Sequence, residues 1–515
     1  MRVGSRPLRS LFTLLFFLLC FCAASSALAD DPVNAYWLGT ASDTDFSDTA
    51  KWDCKDANGD SILDALPGST TVVHFSGSAV PEIPVGASIS CAKVSFDGSA
   101  TLPADRDLRG LGKSIQIEGT LTLAGHKLTV AGLTTGSGTI TSSSSGEVIV
   151  EVPSGQTLTL SAVTLSGTLK LVKKGSGTLN ISNNNSYSGG TEIQAGKVVL
   201  NGNGGSAPLG ANNSNVYIRS NGVLDVYGVE NTSNKYKFNL DGGTLQSTGR
   251  KAKPDQKLFV NVKLTADSTL TTGKNNGTVS PDYGFVAASY GTTTLDLGGH
   301  TLTFSIGTGT KFYMCNTTVK NGTVNITNGG WLQTYNNKSI TANTADFIVK
   351  CAINLSNGAM SVKGYEARYT GDSNNGSYAL NVYGTFKPNN SNGYYYGPTM
   401  QNGSTIDMTA WPAAKGWPMY SRFSNGNKQM SFANGTVNVK LYMSRADMKT
   451  LARTKANGEY AGYLLKWGTG AGQLATKNAN TKFVLDSASA SQYRLVVDDT
   501  GLLLRPDPGL ILIVQ

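Results

Sequence analysis

Two stretches of the chain offer candidate ligands: an acidic loop suited to a hard cation and an aromatic run suited to sugars or protein surfaces. Asp56-Ala-Asn-Gly-Asp-Ser-Ile-Leu-Asp64 places side-chain oxygens at positions 1, 3, 5 and 9 of a calcium-type loop. Calcium is a hard cation that takes about six to eight oxygen ligands, so Asp56, Asn58, Asp60 and Asp64 are candidate ligands. The loop departs from the EF-hand pattern, because its glycine stands at position 4 rather than 6 and Pro67 occupies the place of the closing acid. The competing reading is a polar insertion loop. The second stretch, residues 394–420, is the most aromatic of the chain. Exposed rings stack on the apolar faces of sugars, and Tyr and Trp are favoured at interface hot spots. Tyr394, Tyr396, Trp411, Trp417 and Tyr420 are therefore candidate glycan- or partner-binding residues. On a strand, Tyr394 and Tyr396 would share one face and Tyr395 the other. The competing reading is packing of a long loop onto the rest of the fold.

Other chemistries have less to stand on. Hydrolysis or elimination of a polysaccharide needs two or three clustered acids with a basic partner. Along the chain Asp225, Asp241 and Asp296 stand alone in strand-like segments, and Asp498-Asp499 lies beside a turn. No Ser/His/Asp arrangement and no phosphate loop stands out. A stacked fold would, however, make neighbours of residues about 22 apart, so an acid cluster formed across turns is invisible to a linear reading. The expectation is a non-catalytic protein, with a polysaccharide lyase or glycoside hydrolase as the alternative. The discriminator is an acid cluster on one lateral face. His74, His126 and His300 are scattered and no Cys-x-x-Cys spacing exists, which speaks against zinc. Apart from the calcium candidate, no cofactor is expected. Net charge is +9 with basic residues dispersed, so no stripe points to nucleic acid.

The residues around these stretches predict where the protein works and how it is built. Arg2, Arg6 and Arg9 precede an apolar run from Leu11 to Cys22, and Ala27-Leu28-Ala29 offers small residues for a peptidase. Residues 1–29 read as a secretory signal peptide with cleavage after Ala29. The apolar run is short of the about 20 residues of a membrane span, and no second long run follows, so no transmembrane segment is expected in the mature chain. Cys54, Cys91, Cys315 and Cys351 remain after cleavage. An even count in an exported protein suggests disulfides. Proximity in sequence favours Cys54–Cys91 and Cys315–Cys351, although four cysteines allow three pairings.

Glycine contributes 60 of 515 residues and charged residues only 15%, a composition that favours short strands and tight turns over helices. From about Gly112 a unit recurs: a short alternating strand, a Gly or Asn turn, another strand. Gly119-Thr-Leu-Thr-Leu, Gly138-Thr-Ile, Gly177-Thr-Leu-Asn-Ile, Gly243-Thr-Leu, Gly322-Thr-Val and Gly435-Thr-Val are examples. Period-two alternation marks strands with one buried face. The same phrase repeated over hundreds of residues points to a solenoid rather than a sandwich, with roughly 20 to 25 residues per turn. Asn183-Asn184-Asn185 could stack between turns.

Within this array, Lys174-Gly-Ser-Gly-Thr-Leu-Asn-Ile-Ser-Asn-Asn-Asn-Ser-Tyr-Ser-Gly-Gly-Thr-Glu-Ile-Gln-Ala-Gly-Lys-Val-Val-Leu200 resembles the autotransporter-associated β-strand repeat. The pattern is carried by Gly175, Gly177, Thr178, Leu179, Tyr187, Gly189, Gly190, Thr191, Ala195, Gly196 and Leu200. The resemblance implies an all-β, right-handed parallel β-helix with an exported, surface or extracellular role. Gly189-Gly190 would let the chain reverse at a corner that Tyr187 covers. One departure stands out: after Gly458 only about three strand candidates remain before Leu502, against the roughly dozen strands of a translocator barrel. The chain thus reads as passenger-like without that barrel.

The expected organisation is a signal peptide over 1–29, an N-terminal cap and first rungs over 30–111, the β-helix over 112–443 with its clearest repeat at 174–200, and a C-terminal cap over 444–515. Ser444 to Ala456 reads as a helix within that cap. The expected function is a secreted or cell-surface, structural or adhesin-like repeat protein of a Gram-negative-type bacterium. Its partner would be a host or environmental surface, glycan or protein.

Overall fold

The structure is a computed structural model. It describes residues 32–83, 89, 91–111, 115–132, 136–200, 207–226, 236–247, 262–272, 286–287, 293–306, 311–314, 317–327, 331–334, 347–355, 359–361, 380–382 and 384–387. Toward the C-terminus it describes 398–407, 430–441, 455–456, 459–460, 463–467, 475–486 and 493–506. The chain forms a parallel β-solenoid. Among the described residues the only helical segments are two 3-10 turns, Thr49–Lys51 and Arg109–Leu111. The chain divides into two compact units, one reaching Glu151 and including Ala162–Leu169, the other comprising Val152–Ser161 and the residues from Lys170 on.

In the first unit the strands Val72–Gly77, Lys93–Thr101, Thr120–Thr122, Thr139–Ser142 and Thr164–Gly167 pair in parallel, each on the next. The inward side chains fall into columns. Ala35, Val73, Val94 and Ile115 form one, and Ala100, Leu121, Ile140 and Leu165 another, all of them buried. The first strand, Asn34–Trp37, pairs in parallel with Val72–Gly77 on one edge and antiparallel with Trp52–Lys55 on the other. Trp52–Lys55 in turn pairs antiparallel with Ser61–Ile62. Trp37 and Trp52 meet edge-on at 4.8 Å, and the Trp52 indole donates to the Phe46 carbonyl at 3.1 Å. An open stack exposes strand edge and core, and this hairpin covers both.

The second unit repeats the principle over a longer run. Leu158, Leu179, Val198, Leu224, Leu245, Leu270, Phe304 and Ile326 stand in register, one per turn, and all are buried. Period-two alternation puts Thr178, Thr244 and Thr269 on the opposite face of the same strands. Side-chain bonds between adjacent turns link residues 22 to 27 apart in the first part of this unit. Farther on the separation reaches 34 residues between Asp267 and Thr301 and 48 between Ala433 and Thr481. The strand phrase is constant while the number of residues between paired positions grows.

Toward the C-terminus antiparallel pairing joins the parallel stack, which continues through Ala475–Lys477 and Thr481–Leu485. Tyr463–Lys466, Gly501–Pro506 and Tyr493–Val497 form one sheet, with Gly501–Pro506 in the middle. Lys455–Ala456 pairs antiparallel with Glu459–Tyr460. This corrects the end of the helix expected over Ser444 to Ala456. The residues between the two short strands are Asn457-Gly458, the strongest two-residue hairpin signal in a sequence. The start of that segment lies outside the described residues, as do residues 1–31, where the signal peptide is expected, and the chain after Pro506.

Candidate functional site

The acids that stand alone in the sequence acquire partners once the turns stack. In the second unit Glu192 on the strand Thr191–Leu200 accepts from the Lys170 ammonium of the preceding turn and from Arg219 Nε of the following one, the latter at 2.8 Å. Arg219 Nη1 then donates to Asp241 Oδ2 at 2.8 Å, and Thr265 Oγ1 reaches Asp241 Oδ1 at 3.1 Å. Lys170, Glu192, Arg219, Asp241 and Thr265 thus form a ladder of alternating charge up one lateral face. Gln194 donates to Glu192, and the Arg219 guanidinium lies 5.3 Å from the Tyr217 ring centre. The planar fork of arginine lets one side chain serve two carboxylates on different turns, which a lysine could not do in the same geometry.

The electrostatics follow from this pairing. Burial pushes the Glu192 carboxyl up, but the hydrogen bonds from Lys170 and Arg219 outweigh it and the pKa lies below the ordinary value. The Arg219 bond, helped by Thr265, holds Asp241 low as well. Arg219 itself is raised, by Asp241 first and Glu192 second. The first unit has a smaller version: Arg109 pairs with Asp107 at 2.7 Å and with Glu151 at 2.8 Å. Burial raises Asp107, the Arg109 bonds lower it, and the balance is downward.

Acids therefore do gather on a lateral face, which answers the discriminator set by the sequence. Acid catalysis at a glycosidic oxygen requires one carboxyl held protonated by a raised pKa. Glu192, Asp241 and Asp107 are all held ionised by cations in direct contact. Asp225, expected to stand alone, is fully buried and pairs with Lys197 at 2.7 Å. Asp296 pairs with Lys320 at 3.3 Å and accepts from Asn321 at 3.0 Å. The isolation of Asp225, Asp241 and Asp296 is a property of the linear sequence only. Asp498 accepts from the backbone of Thr500 and Gly501 and shapes a turn.

The corner of the same repeat is built from buried polar groups. Tyr187 is fully buried, its hydroxyl 2.6 Å from Thr191 Oγ1, and burial pushes its pKa up. On the next turn Gly210 lies against it, where a β-carbon would come within 2.9 Å of the ring. The Tyr236 hydroxyl accepts from the Leu209 amide at 3.2 Å, and burial pushes its pKa to about 12. Asn184 Oδ1 accepts from the Ala207 amide and Asn185 Nδ2 donates to the Pro208 carbonyl, each at 2.8 Å. These asparagines bridge turns by stapling backbone rather than by stacking on other asparagines. Lys173 points inward in register with Ile193, is fully buried, and donates to the carbonyls of Lys174, Gly175 and Ala195 at 2.7, 2.7 and 3.1 Å. Three ammonium donors thus meet three carbonyls.

The calcium candidate resolves into a turn. Asp56 Oδ1 accepts from the amides of Asn58 and Asp60, both at 2.8 Å, and Asp56 Oδ2 accepts from the Asn58 side chain. The Asp60 amide bond first, with those from Asn58 and Gly59, keeps the Asp56 pKa low against burial. The loop joins Trp52–Lys55 to Ser61–Ile62, so the Asp56 oxygens are spent on the hairpin. Among the described residues no group of three or more His, Cys, Asp or Glu side chains is placed to hold a metal ion. The Cys54–Cys91 bridge is also corrected. Cys54 is in register with Ala35, Val73 and Val94 across successive strands, and Cys91 belongs to the lead-in of the last of these. Three strand spacings are about 14 Å, twice the reach of a disulfide. Both are free, and burial raises both thiol pKas. The Cys315 side of the second pairing lies outside the described residues, as do Tyr394, Tyr396, Trp411, Trp417 and Tyr420.

Sequence reading missed the ladder, although one signal existed: the cation–anion spacings of 22, 27 and 22 residues match the turn length. Parallel stacked coils joined by side-chain bridges between turns define a β-solenoid repeat protein. Residues 171–200 match the family model of the passenger-associated-transport-repeat. The matched segment contains Lys173, Tyr187, Glu192 and Gly196. Repeat and solenoid together fit a passenger-like repeat protein of the autotransporter type. No curated protein and no solved structure matches the chain. Among the described residues no helix is long and apolar enough to cross a membrane.

Proposed function

We propose that this is an exported cell-surface protein whose solenoid is a non-catalytic structural and adhesive scaffold, presenting its long outward excursions to a host or environmental surface. The observation that carries the reading is the state of the clustered acids. Glu192 and Asp241 share Arg219 and are locked as ions between turns, so the most acid-rich lateral face serves the stack rather than a substrate. The match to a passenger-associated repeat supports export and a surface location. The leader over residues 1–29 would direct export from a Gram-negative-type bacterium, and the aromatic segment 394–420 would supply the glycan- or protein-binding excursion.

The purified chain, screened against acidic and neutral polysaccharides, tests this with two readouts. Retention without new reducing or unsaturated ends is expected, and it should be lost when Trp411 and Trp417 are replaced together. Cleavage of any polymer would overturn the non-catalytic reading. Surface location is tested separately by digesting intact producing cells with protease, where survival of the protein would refute it.

A further inference from the structure

The first unit carries a second repeating face, and its chemistry is unlike that of the ion ladder. Outward side chains of Lys93–Thr101, Thr120–Thr122, Thr139–Ser142 and Thr164–Gly167 fall into two parallel columns. Ser99, Thr120, Thr139 and Thr164 are in register, and beside them Thr101, Thr122, Thr141 and Ser166. All eight are exposed or half-exposed. None of the eight side-chain hydroxyls has a hydrogen-bond partner among the described residues. Leu121, Ile140 and Leu165, which alternate with them, are fully buried and fix the grid from beneath. No register shift interrupts the pairing from Thr120–Thr122 to Thr164–Gly167.

The grid has dimensions set by the backbone. Its columns repeat about every 4.8 Å across strands, and its two hydroxyls per strand lie about 6.6 Å apart. Two hydrogen bonds of about 2.8 Å meeting at a tetrahedral oxygen separate their outer oxygens by about 4.6 Å. The strand spacing is therefore close to the second-neighbour spacing of fully hydrogen-bonded water. Each threonine adds a methyl beside its hydroxyl, so water over the face is anchored at one group and caged by the other. A flexible polyanion or polycation would find no charge in the grid. A sugar polymer would find no aromatic ring on which to stack.

We infer that this face binds ice, taking the ordered water lattice as its ligand. The hydroxyls hold surface waters at positions the lattice already occupies, and the regular column spacing extends the match over four strands. The second unit repeats the arrangement less purely: Thr244, Thr269, Thr303 and Asn325 form one column and Gln246, Thr271, Ser305 and Thr327 its neighbour. That face is the weaker copy, because its amide side chains break the hydroxyl-and-methyl pattern.

Slow freezing of a dilute solution of the whole protein onto an ice probe tests the inference. The protein should be enriched in the ice at least tenfold over a co-dissolved globular control, and should shape the crystal edges seen by microscopy. Replacing Thr120 and Thr139 together by Lys, at the grid centre, should abolish the enrichment without moving the thermal unfolding midpoint. Should that double variant misfold, Thr141→Tyr provides a single, milder obstruction with the same expected loss. Exclusion of the unaltered protein from ice would overturn the inference. So would retention on crystalline cellulose or chitin in place of ice, or full ice enrichment by a folded Thr120→Lys, Thr139→Lys variant.

Discussion

The outward columns of the two units solve the problem of stacking strands in different ways. In the first unit Ser99, Thr120, Thr139 and Thr164 repeat one neutral group. In the second, Lys170, Glu192, Arg219 and Asp241 alternate in sign. A neutral column is indifferent to a slip by a whole turn, because every turn looks alike. An alternating column is not, because a slip by one turn would bring like charges together. The register of the neutral column must come from the buried Leu and Ile beneath it, whereas the charged column specifies its own. The repeat matched by the family model, residues 171–200, supplies one member of the charged column, Glu192.

The comparison can be broken first at what both regions share. Leu224→Ala removes a fully buried side chain from the inward column and should cost about 2–5 kcal/mol, read from the denaturant midpoint. A cost below that of the surface variants would show that the columns are not the main source of stability. Arg219→Ala should come next, at about 1–3 kcal/mol, because it takes the Arg219 partner from Asp241 and one of two cations from Glu192, whose side chain is 10% exposed. Arg219→Lys should recover only part of the loss. A double-mutant cycle with Asp241→Asn checks that the two charges act together, and strict additivity would dissolve the ladder into independent surface pairs.

Acid separates the two faces further. Glu192 and Asp241 have folded pKa values below their ordinary ones, so protonation favours the unfolded chain. Their contribution is fully present above the ordinary carboxylate range, about pH 4–5, and fades as pH falls through the lowered folded values. Urea midpoints of the unaltered protein should drop over that window, and those of Arg219→Ala should drop less. Parallel curves would show that the ladder is not what titrates. The smallest effects belong to the ends of the comparison. Thr265→Val should cost about 0.5–1.5 kcal/mol for one hydrogen bond to Asp241. Thr139→Val, on the neutral column, should stay within about 0.5 kcal/mol of the unaltered protein.

The alternating strands and the Gly-Thr-Leu phrase made the solenoid legible, because a buried column needs the same residue type at the same place in each turn. Tyr187 was legible differently, through the resemblance of its segment to the autotransporter-associated repeat. The ladder was not, because charge has no local periodicity to betray it. Its partners are separated by 22 residues in one step and 27 in the next, and the register shifts between Ile193 and Ala195. Cys54 and Cys91 misled in the opposite direction: they are near in sequence, but parallel stacking places whole strands between them. Asp56 shapes its own turn, accepting from the amides of Asn58 and Asp60.

The hairpin at the amino end has a consequence for assembly. Parallel stacks of identical strands are self-templating, and a bare terminal strand invites the far end of another molecule to dock and extend the row without limit. Here the last parallel strand gives its outer edge to Trp52–Lys55, running the other way, and the row finishes with a two-residue strand, Ser61–Ile62. A reversed and shortened final row is a chain terminator in the polymer chemist's sense: it offers another molecule no full-length parallel strand to extend. Removing residues 34–62 should convert the protein into a monomer of a fibre.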